Sequence, residues 1–330
     1  MGFSIVYSET SIELNLCEEY RISYNDEGNE YGECVGKKNI DSSYNSGFHF
    51  TPVMHITFWE RYSKSSIWVF GGINQNLTGF VGENLNFKKA GCVPQSENFK
   101  QHIVKIEPKA SIDIIEPAND KSILKIIDSL NKYDGIILTG STLRIDDLSG
   151  EVKKHIEFAR VCFKNEKKIF AACWGLQITV TAAGGKCRVS PNGAHVGIAY
   201  DIELTNEGKK HKIFMSKPHK FTTPAFNYDE VEVPPSNSVL LASNKINKFG
   251  ALHFTVGNSE VWGLQYHPEI PYDYMIKLIK HRSNGLIEKN VFKNQNEISH
   301  HIKLINKART ELSDDLRTLE LKNWLNYLKN

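Results

Sequence analysis

KKIFAACWGLQITVTAAGG, residues Lys167 to Gly185, reads as a strand, a sharp turn, a helix and a glycine stop. Ile169-Phe170-Ala171-Ala172 is the apolar strand, and Leu176-Gln177-Ile178-Thr179-Val180 is the helical run that closes on Gly184-Gly185. Cys173 falls on the turn, with small residues (Ala171, Gly175) on either side that let the backbone bend tightly. A strand-to-helix turn of this kind lifts a side chain out of the end of the sheet and aims the first helical N–H groups at it. That setting favours a thiolate, and the N–H of Trp174 is placed to stabilise an oxyanion. Taken alone, a cysteine among apolar residues is more often a small buried hydrophobe. A nucleophilic reading therefore needs a base elsewhere in the chain.

On the N-terminal side, Ile67-Trp68-Val69-Phe70, Ile112-Asp113-Ile114-Ile115 and Gly135-Ile136-Ile137-Leu138 read as short buried strands. Helices are expected over Ser96 to Ile106, Lys121 to Lys132 and Gly150 to Asn165, the second with Ile123, Leu124, Ile126, Ile127 and Leu130 on one face. Strand and helix alternating at this spacing predict an open, mostly parallel, doubly wound α/β sheet with helices on both faces. The loop Thr139-Gly140-Ser141-Thr142 then lies at the carboxyl edge, where such sheets bind ligands. Its N–H groups are candidates for the second half of an oxyanion hole. A plain glycine turn is the competing reading. Gly71-Gly72 lacks a phosphate-loop spacing.

After Gly185 the pattern becomes one of shorter strands, a small antiparallel part. Leu252 to Val256 and Val261 to Tyr266 pair around a Gly257-Asn258 turn. The second runs directly into His267-Pro268-Glu269. An imidazole at a strand end, with a carboxylate two residues on, is the base and orienter that Cys173 requires. Pro268 stiffens the backbone between the two. His-x-Glu is weak by itself, but after an apolar strand and a baseless elbow it becomes specific. Residues 1–63 read as a β-rich extension, with two short strands at Ile12, Leu14, Leu16 and at Tyr20, Ile22, Tyr24. Asn25 to Asn29 reads as a turn and Ser42 to Gly47 as a loop. Residues 281–330 read as a charged helical tail packed on the main domain, which is taken as 64–280.

Composition narrows the class. Of 330 residues, 40% are hydrophobic and 24% charged, which is ordinary for a globular protein with a real core. Forty Lys+Arg against 38 Asp+Glu leave a net charge of +2, too balanced to suggest nucleic acid or an acidic membrane surface. The six cysteines have no CxxC spacing and read as free thiols of a reducing compartment, with no metal site or cofactor expected. No signal-peptide core or membrane-length apolar run is present, so the expected location is cytoplasmic.

Three blocks carry a resemblance: Phe170-Ala171-Ala172-Cys173-Trp174-Gly175-Leu176-Gln177, Gly135-Ile136-Ile137-Leu138-Thr139-Gly140-Ser141, and Trp262-Gly263-Leu264-Gln265-Tyr266-His267-Pro268-Glu269. Together they resemble the signatures of class I glutamine amidotransferases, and the stretch from Glu207-Gly208 through Lys217-Pro218 to Asp229-Glu230-Val231 and Pro234-Pro235 resembles the stand-alone branch similar to the amidotransferase domain of GMP synthase. The resemblance runs from about Ser66 to Tyr274 and returns at Leu319 to Leu325. It implies a flavodoxin-like fold and a Cys173–His267–Glu269 triad. It also implies an oxyanion hole at Trp174 and Gly140-Ser141, a glutamine contact at Gln177, and a substrate border at Asn227, Tyr228 and Asp229. The implied reaction hydrolyses the glutamine side-chain amide through a thioester, giving ammonia to a separate synthetase. The alternative is a γ-glutamyl peptidase that uses the same triad on a larger leaving group. A second alternative is a non-catalytic binding protein on this fold. The chain departs from the family pattern at Ala171, where relatives mostly carry glycine. It departs again at Asn227-Tyr228, where relatives often have a His-containing pair.

Overall fold

The computed structural model describes residues 2–8, 11–24, 30–39, 66–70, 87–115, 130–147 and 149–329. The chain divides into two compact units, Met1–Val53 and Met54–Asn330. In the first, β1 (Gly2–Ser8), β2 (Ser11–Tyr24) and β3 (Glu30–Asn39) form an antiparallel meander. The two short strands expected here are one strand of 14 residues. The gap between its two alternating sets holds register shifts at Cys17/Glu19 and Glu19/Tyr20, and such bulges interrupt the period without ending the strand. The expected turn at Asn25 to Asn29 and loop at Ser42 to Gly47 lie outside the described residues, as does the expected helix from Lys121 up to Leu130.

The second unit is built on the described strands β4 (Ser66–Phe70), β5 (Ser111–Ile115), β6 (Gly135–Leu138), β7 (Lys168–Ala172), β8 (Lys186–Val189), β9 (His195–Val196), β10 (Ala199–Leu204), β11 (Lys220–Thr223), β12 (Phe226–Asn227), β13 (Asp229–Val233), β14 (Val239–Ser243), β15 (Ala251–Val256) and β16 (Ser259–Leu264). Nine of them make one sheet in the order β11-β10-β14-β15-β16-β7-β6-β4-β5. The run β5-β4-β6-β7-β16 is parallel throughout, and in chain order its strands lie 2-1-3-4-5, the flavodoxin-like arrangement. The antiparallel part extends this same sheet through β15, β14, β10 and β11, while β12–β9 and β13–β8 form separate two-stranded ribbons.

The helices are α1 (Gln95–Ile106), α2 (Gly150–Lys164), α3 (Trp174–Ala182), α4 (Asn206–Lys210), α5 (Tyr272–His281), α6 (Ser283–Glu288), α7 (Gln295–Glu311), α8 (Asp314–Arg317) and α9 (Leu319–Leu328). Strand alternation sorts the core into two layers. Ile136, Leu138, Ile169 and Ala171 face α2 and α3 through Val152, Ile156, Ala159 and Leu176. Ile137, Phe170 and Ala172 face the other way, onto Phe99 and Ile103 of α1 and Leu321, Trp324 and Leu325 of α9. Both faces of β6 and β7 are covered, which is why Ile136 to Leu138 and Ile169 to Ala172 are apolar at every position. Helix starts are marked locally: Ser149 caps α2 through Val152 N, and Asn294 caps α7 through Asn296 N and Glu297 N. The last helix is part of this core. Trp324 packs its ring 5.6 Å from that of Phe170, in β7 just before the elbow. Among the described residues no helix is long and apolar enough to cross a membrane.

Candidate active site

Cys173 sits between the end of β7 and the first residue of α3 with φ 53° and ψ −109°. A non-glycine residue in this left-handed region stores about 1–3 kcal/mol of strain, which the surroundings must hold in place. They do so through a hydrogen bond from Cys173 N to Leu264 O at 2.7 Å and through Gly175. A Cβ on Gly175 would lie 2.2 Å from Leu138 O, so only glycine lets α3 start this close to the end of β6. Ala171 lies inside β7 and outside the positive-φ set. Its methyl joins the buried cluster with Leu138 and Leu176, so alanine fits without strain.

The chain brings His267 and Glu269 to this elbow. β16 pairs in parallel with β7, placing Leu264 beside Ala172, so the residues after both strands emerge at one edge. His267 Nδ1 donates to Glu269 Oε1 at 2.7 Å, which leaves Nε2 for the sulfur, while Cys173 Sγ lies 3.6 Å from Phe226 O. His267 is 2% exposed and Glu269 0%. Burial works to lower the His267 pKa. The Glu269 carboxylate, and after it the Cys173 sulfur, work against burial and raise it to about 10. The imidazole is therefore built to hold a proton beside the sulfur. Elsewhere burial raises thiols: Cys162 far up, and Cys187 to about 12 despite its hydrogen bond with Thr181.

Gly140 closes the far side of the imidazole. A Cβ there would meet Gln95 Oε1 at 2.6 Å and His267 Cε1 at 2.7 Å. Gln265 has no role in the sequence reading, although it directly follows β16 on the way to His267. Its Nε2 donates to Cys173 Sγ at 3.7 Å, while its Oε1 accepts from Gln177 Nε2 at 3.4 Å. Gln177 also donates to Asp229 O at 3.0 Å, so its amide braces the site. Ser141 Oγ accepts from Leu143 N at 3.1 Å and shapes the loop. Asn227 lies on the cavity wall, but its amide is engaged with His195, Asn247 and Asp229 O.

A cavity of about 760 Å³ opens over the sulfur. Ser141, Trp174, Gln177, Asn227, Tyr228 and Asp229 all line it with Cys173 and His267. Arg144, missed in the sequence although it lies three residues after Ser141, also lines it and pairs with Asp229 Oδ1 at 3.1 Å. A second stretch of wall is apolar: Phe87, Phe226, Ile270, Met275, Leu278 and Leu286. Among the described residues no group of His, Cys, Asp and Glu has the arrangement of a metal site.

Residues 95–275 match the family described as glutamine amidotransferase class-I. The chain is 30% identical over 266 residues to a gamma-glutamyl-L-1-hydroxyisopropylamide hydrolase from a Pseudomonas species, covering 74% of this chain and 89% of that protein. It is 25% identical over 142 residues to a glutamine-hydrolyzing GMP synthase subunit of Methanococcus maripaludis, covering 43% of this chain and 67% of that protein. In fold it is similar to a crystal structure of a glutamine amidotransferase from Thermotoga maritima, with a TM-score of 0.52 at 14% identity, over 81% of this chain and 99% of that one. With the elbow and the sheet order in place, the chain belongs to the class-I glutamine amidotransferase family.

Proposed function

We propose that this protein hydrolyses γ-glutamyl amides whose leaving amine is larger than ammonia, through a Cys173–His267–Glu269 triad. The observation that carries the reading is the 760 Å³ cavity lined by both Cys173 and a His267 imidazole that the Glu269 carboxylate holds. Pockets of about 300–1,000 Å³ hold drug-sized ligands, well beyond the size of glutamine. Similarity to a hydrolase named for a γ-glutamyl amide supports the same choice.

The substrate's glutamyl head meets the Arg144–Asp229 pair, with Arg144 taking the α-carboxylate and Asp229 the α-ammonium. Cys173 sulfur bonds to the γ-carbonyl carbon. The carbonyl electrons move onto oxygen, which the Trp174 N–H and the Gly140-Ser141 loop receive. The C–N bond breaks as His267 passes its proton to the leaving nitrogen, and the amine departs. Water then gives a proton to His267 and its oxygen to the thioester carbon. Glutamate leaves, and sulfur and imidazole regain their starting state. Glu269 holds the imidazole through Nδ1 in both half-reactions. The apolar wall beyond His267, at Ile270, Met275 and Leu278, is where the substituent of the leaving amine lies.

A second reading has the same chemistry serve glutamine alone and pass ammonia to a separate synthetase, supported by the similarity to a component of GMP synthase. Turnover of glutamine beside γ-glutamyl peptides and γ-glutamyl alkylamides separates the two. Preference for the bulkier amides supports the proposal, and release from glutamine only overturns it in favour of the second. Cys173→Ala should abolish every such activity, and a glutamine-derived chloroketone should label Cys173 while sparing Cys162 and Cys187. An Ala variant with an undiminished rate removes the nucleophile assignment.

A further inference from the structure

The dipeptide that follows His267 is held from the far end of the chain. Arg317, on α8, donates from Nη1 to the carbonyl oxygen of Pro268, the residue between the base and its orienter. The guanidinium is 2% exposed and is anchored by Nη2 to Asp314 Oδ1 at 3.0 Å. On the other flank, Tyr266 OH donates to Glu320 Oε1 at 2.8 Å, and Lys217 Nζ reaches Glu320 Oε2 at 2.8 Å and Leu316 O at 2.6 Å. A third tie comes from α1, where Asn98 Nδ2 donates to Glu269 O at 2.6 Å. The segment Tyr266 to Glu269 is thus fastened on both sides of His267, mostly by residues after position 275, beyond the matched family region.

A buried guanidinium is a costly way to fill space, since taking a charge out of water costs several kcal/mol unless it is well partnered. Here its partners are one half-free carboxylate, with 60% of the Asp314 side chain exposed, and a single backbone carbonyl. A residue needed only for packing between α8 and the sheet would serve as well with leucine or methionine. What an arginine adds is a directed, charge-assisted hydrogen bond to one atom.

We propose that Arg317 is a positioning residue for the triad: by holding the Pro268 carbonyl, it keeps the Glu269 carboxylate in register with His267 Nδ1. This rests on the triad reading above, but not on the identity of the substrate. The charged and titratable groups facing the assembly are Glu269 and Cys173 at His267; Asp314, His102, Lys105 and Tyr272 around Arg317; and Glu320 and Lys217 at Tyr266. Half-buried His102 is held down at about 4, by burial first and then by Arg317, so it stays neutral through the working range.

The test uses the full chain with Arg317→Met, Arg317→Lys and Asp314→Asn. Nitrogen-15 histidine NMR follows the His267 titration and its Nδ1 proton, and turnover is normalised to the Cys173 thiol that reacts with iodoacetamide. Arg317→Met should lower kcat by about tenfold or more with KM little changed, as expected for a misplacement of under 1 Å. It should also move the His267 midpoint down by about half a pH unit or more, because the carboxylate that raises it is no longer aligned. Arg317→Lys should restore most of both effects. A purely structural arginine would lower the melting temperature and leave midpoint and kcat per thiol where they were, and that result overturns the proposal. Should Arg317→Met not fold, Asp314→Asn carries the test. It alters a mostly exposed side chain and removes the negative charge that anchors the guanidinium, and an unshifted midpoint there is equally fatal. If the wild type hydrolyses none of the γ-glutamyl amides, the function proposed above fails, while the NMR midpoints still decide the role of Arg317.

Discussion

Gly140→Ala measures how closely the base is confined. The added methyl would sit 2.7 Å from His267 Cε1. Carbon atoms settle at about 3.5–4.0 Å, so the two must part by about 0.8 Å or more. Gly140 is outside the positive-φ set, so backbone strain does not confuse the result. The Gln95 amide oxygen, 2.6 Å from the same point, ends a flexible side chain that can swing aside, so the contact with the ring carries the effect. The ring is held by Glu269 at 2.7 Å and through the backbone bond of His267 N to Pro224 O at 2.9 Å. Displacing a catalytic group by about 1 Å can cost about 100-fold, so kcat should fall by about 30- to 100-fold. Overpacking should cost about 1–3 kcal/mol in stability, small enough to leave a folded protein. The assay is steady-state release of amine from a γ-glutamyl amide, with folding checked by near-UV circular dichroism. Gln95→Ala combined with Gly140→Ala relieves the amide contact but not the ring, so activity should stay low. A Gly140→Ala enzyme within about twofold of wild type, or full rescue by Gln95→Ala, would show that the imidazole is not lodged against this loop.

Two further outcomes follow from buried groups. The His267 pKa is raised above its unfolded value of about 6.5, so its stabilising contribution is complete below that pH and is lost as pH rises through about 10. Hydrolysis should accordingly hold into the alkaline range and fall near pH 10, and Glu269→Gln should bring that limb to lower pH; an unmoved limb would detach Glu269 from the imidazole. The Lys217–Glu320 pair is 1% and 0% exposed. Glu320→Leu alone should lose about 3–5 kcal/mol, because it strands the Lys217 charge and the Tyr266 hydroxyl. Lys217→Met with Glu320→Leu should recover most of that loss in urea titrations, and a double variant as weak as the single would deny that the unpaired charge is the cause.

The parallel half of the sheet was legible because each strand carries its own signal. Burial on two faces makes residues 135–138 and 169–172 continuously apolar, and the elbow at Cys173 is set by neighbours in the chain. The join between the parallel and antiparallel halves was less legible. It depends on β16 pairing with β7 on one side and β15 on the other, which no local pattern encodes. The single long β2 was missed for a related reason, since a bulge shifts the period without a turn residue to mark it.

At the site, the residue types and their order along the chain named a nucleophile, a base and an orienter, because each sits at a strand end with a recognisable local motif. Distance, burial and charge came only with the tertiary structure. A Gln265 amide on sulfur, an Arg144–Asp229 pair on the cavity wall and an Arg317 tie to Pro268 join side chains far apart in sequence. Sequence by itself named the residues of the proposed chemistry, since reactivity begins with residue type and local backbone. Packing decided how the imidazole is charged and how much room lies beside it, because fields and cavities are sums over atoms that only folding brings together.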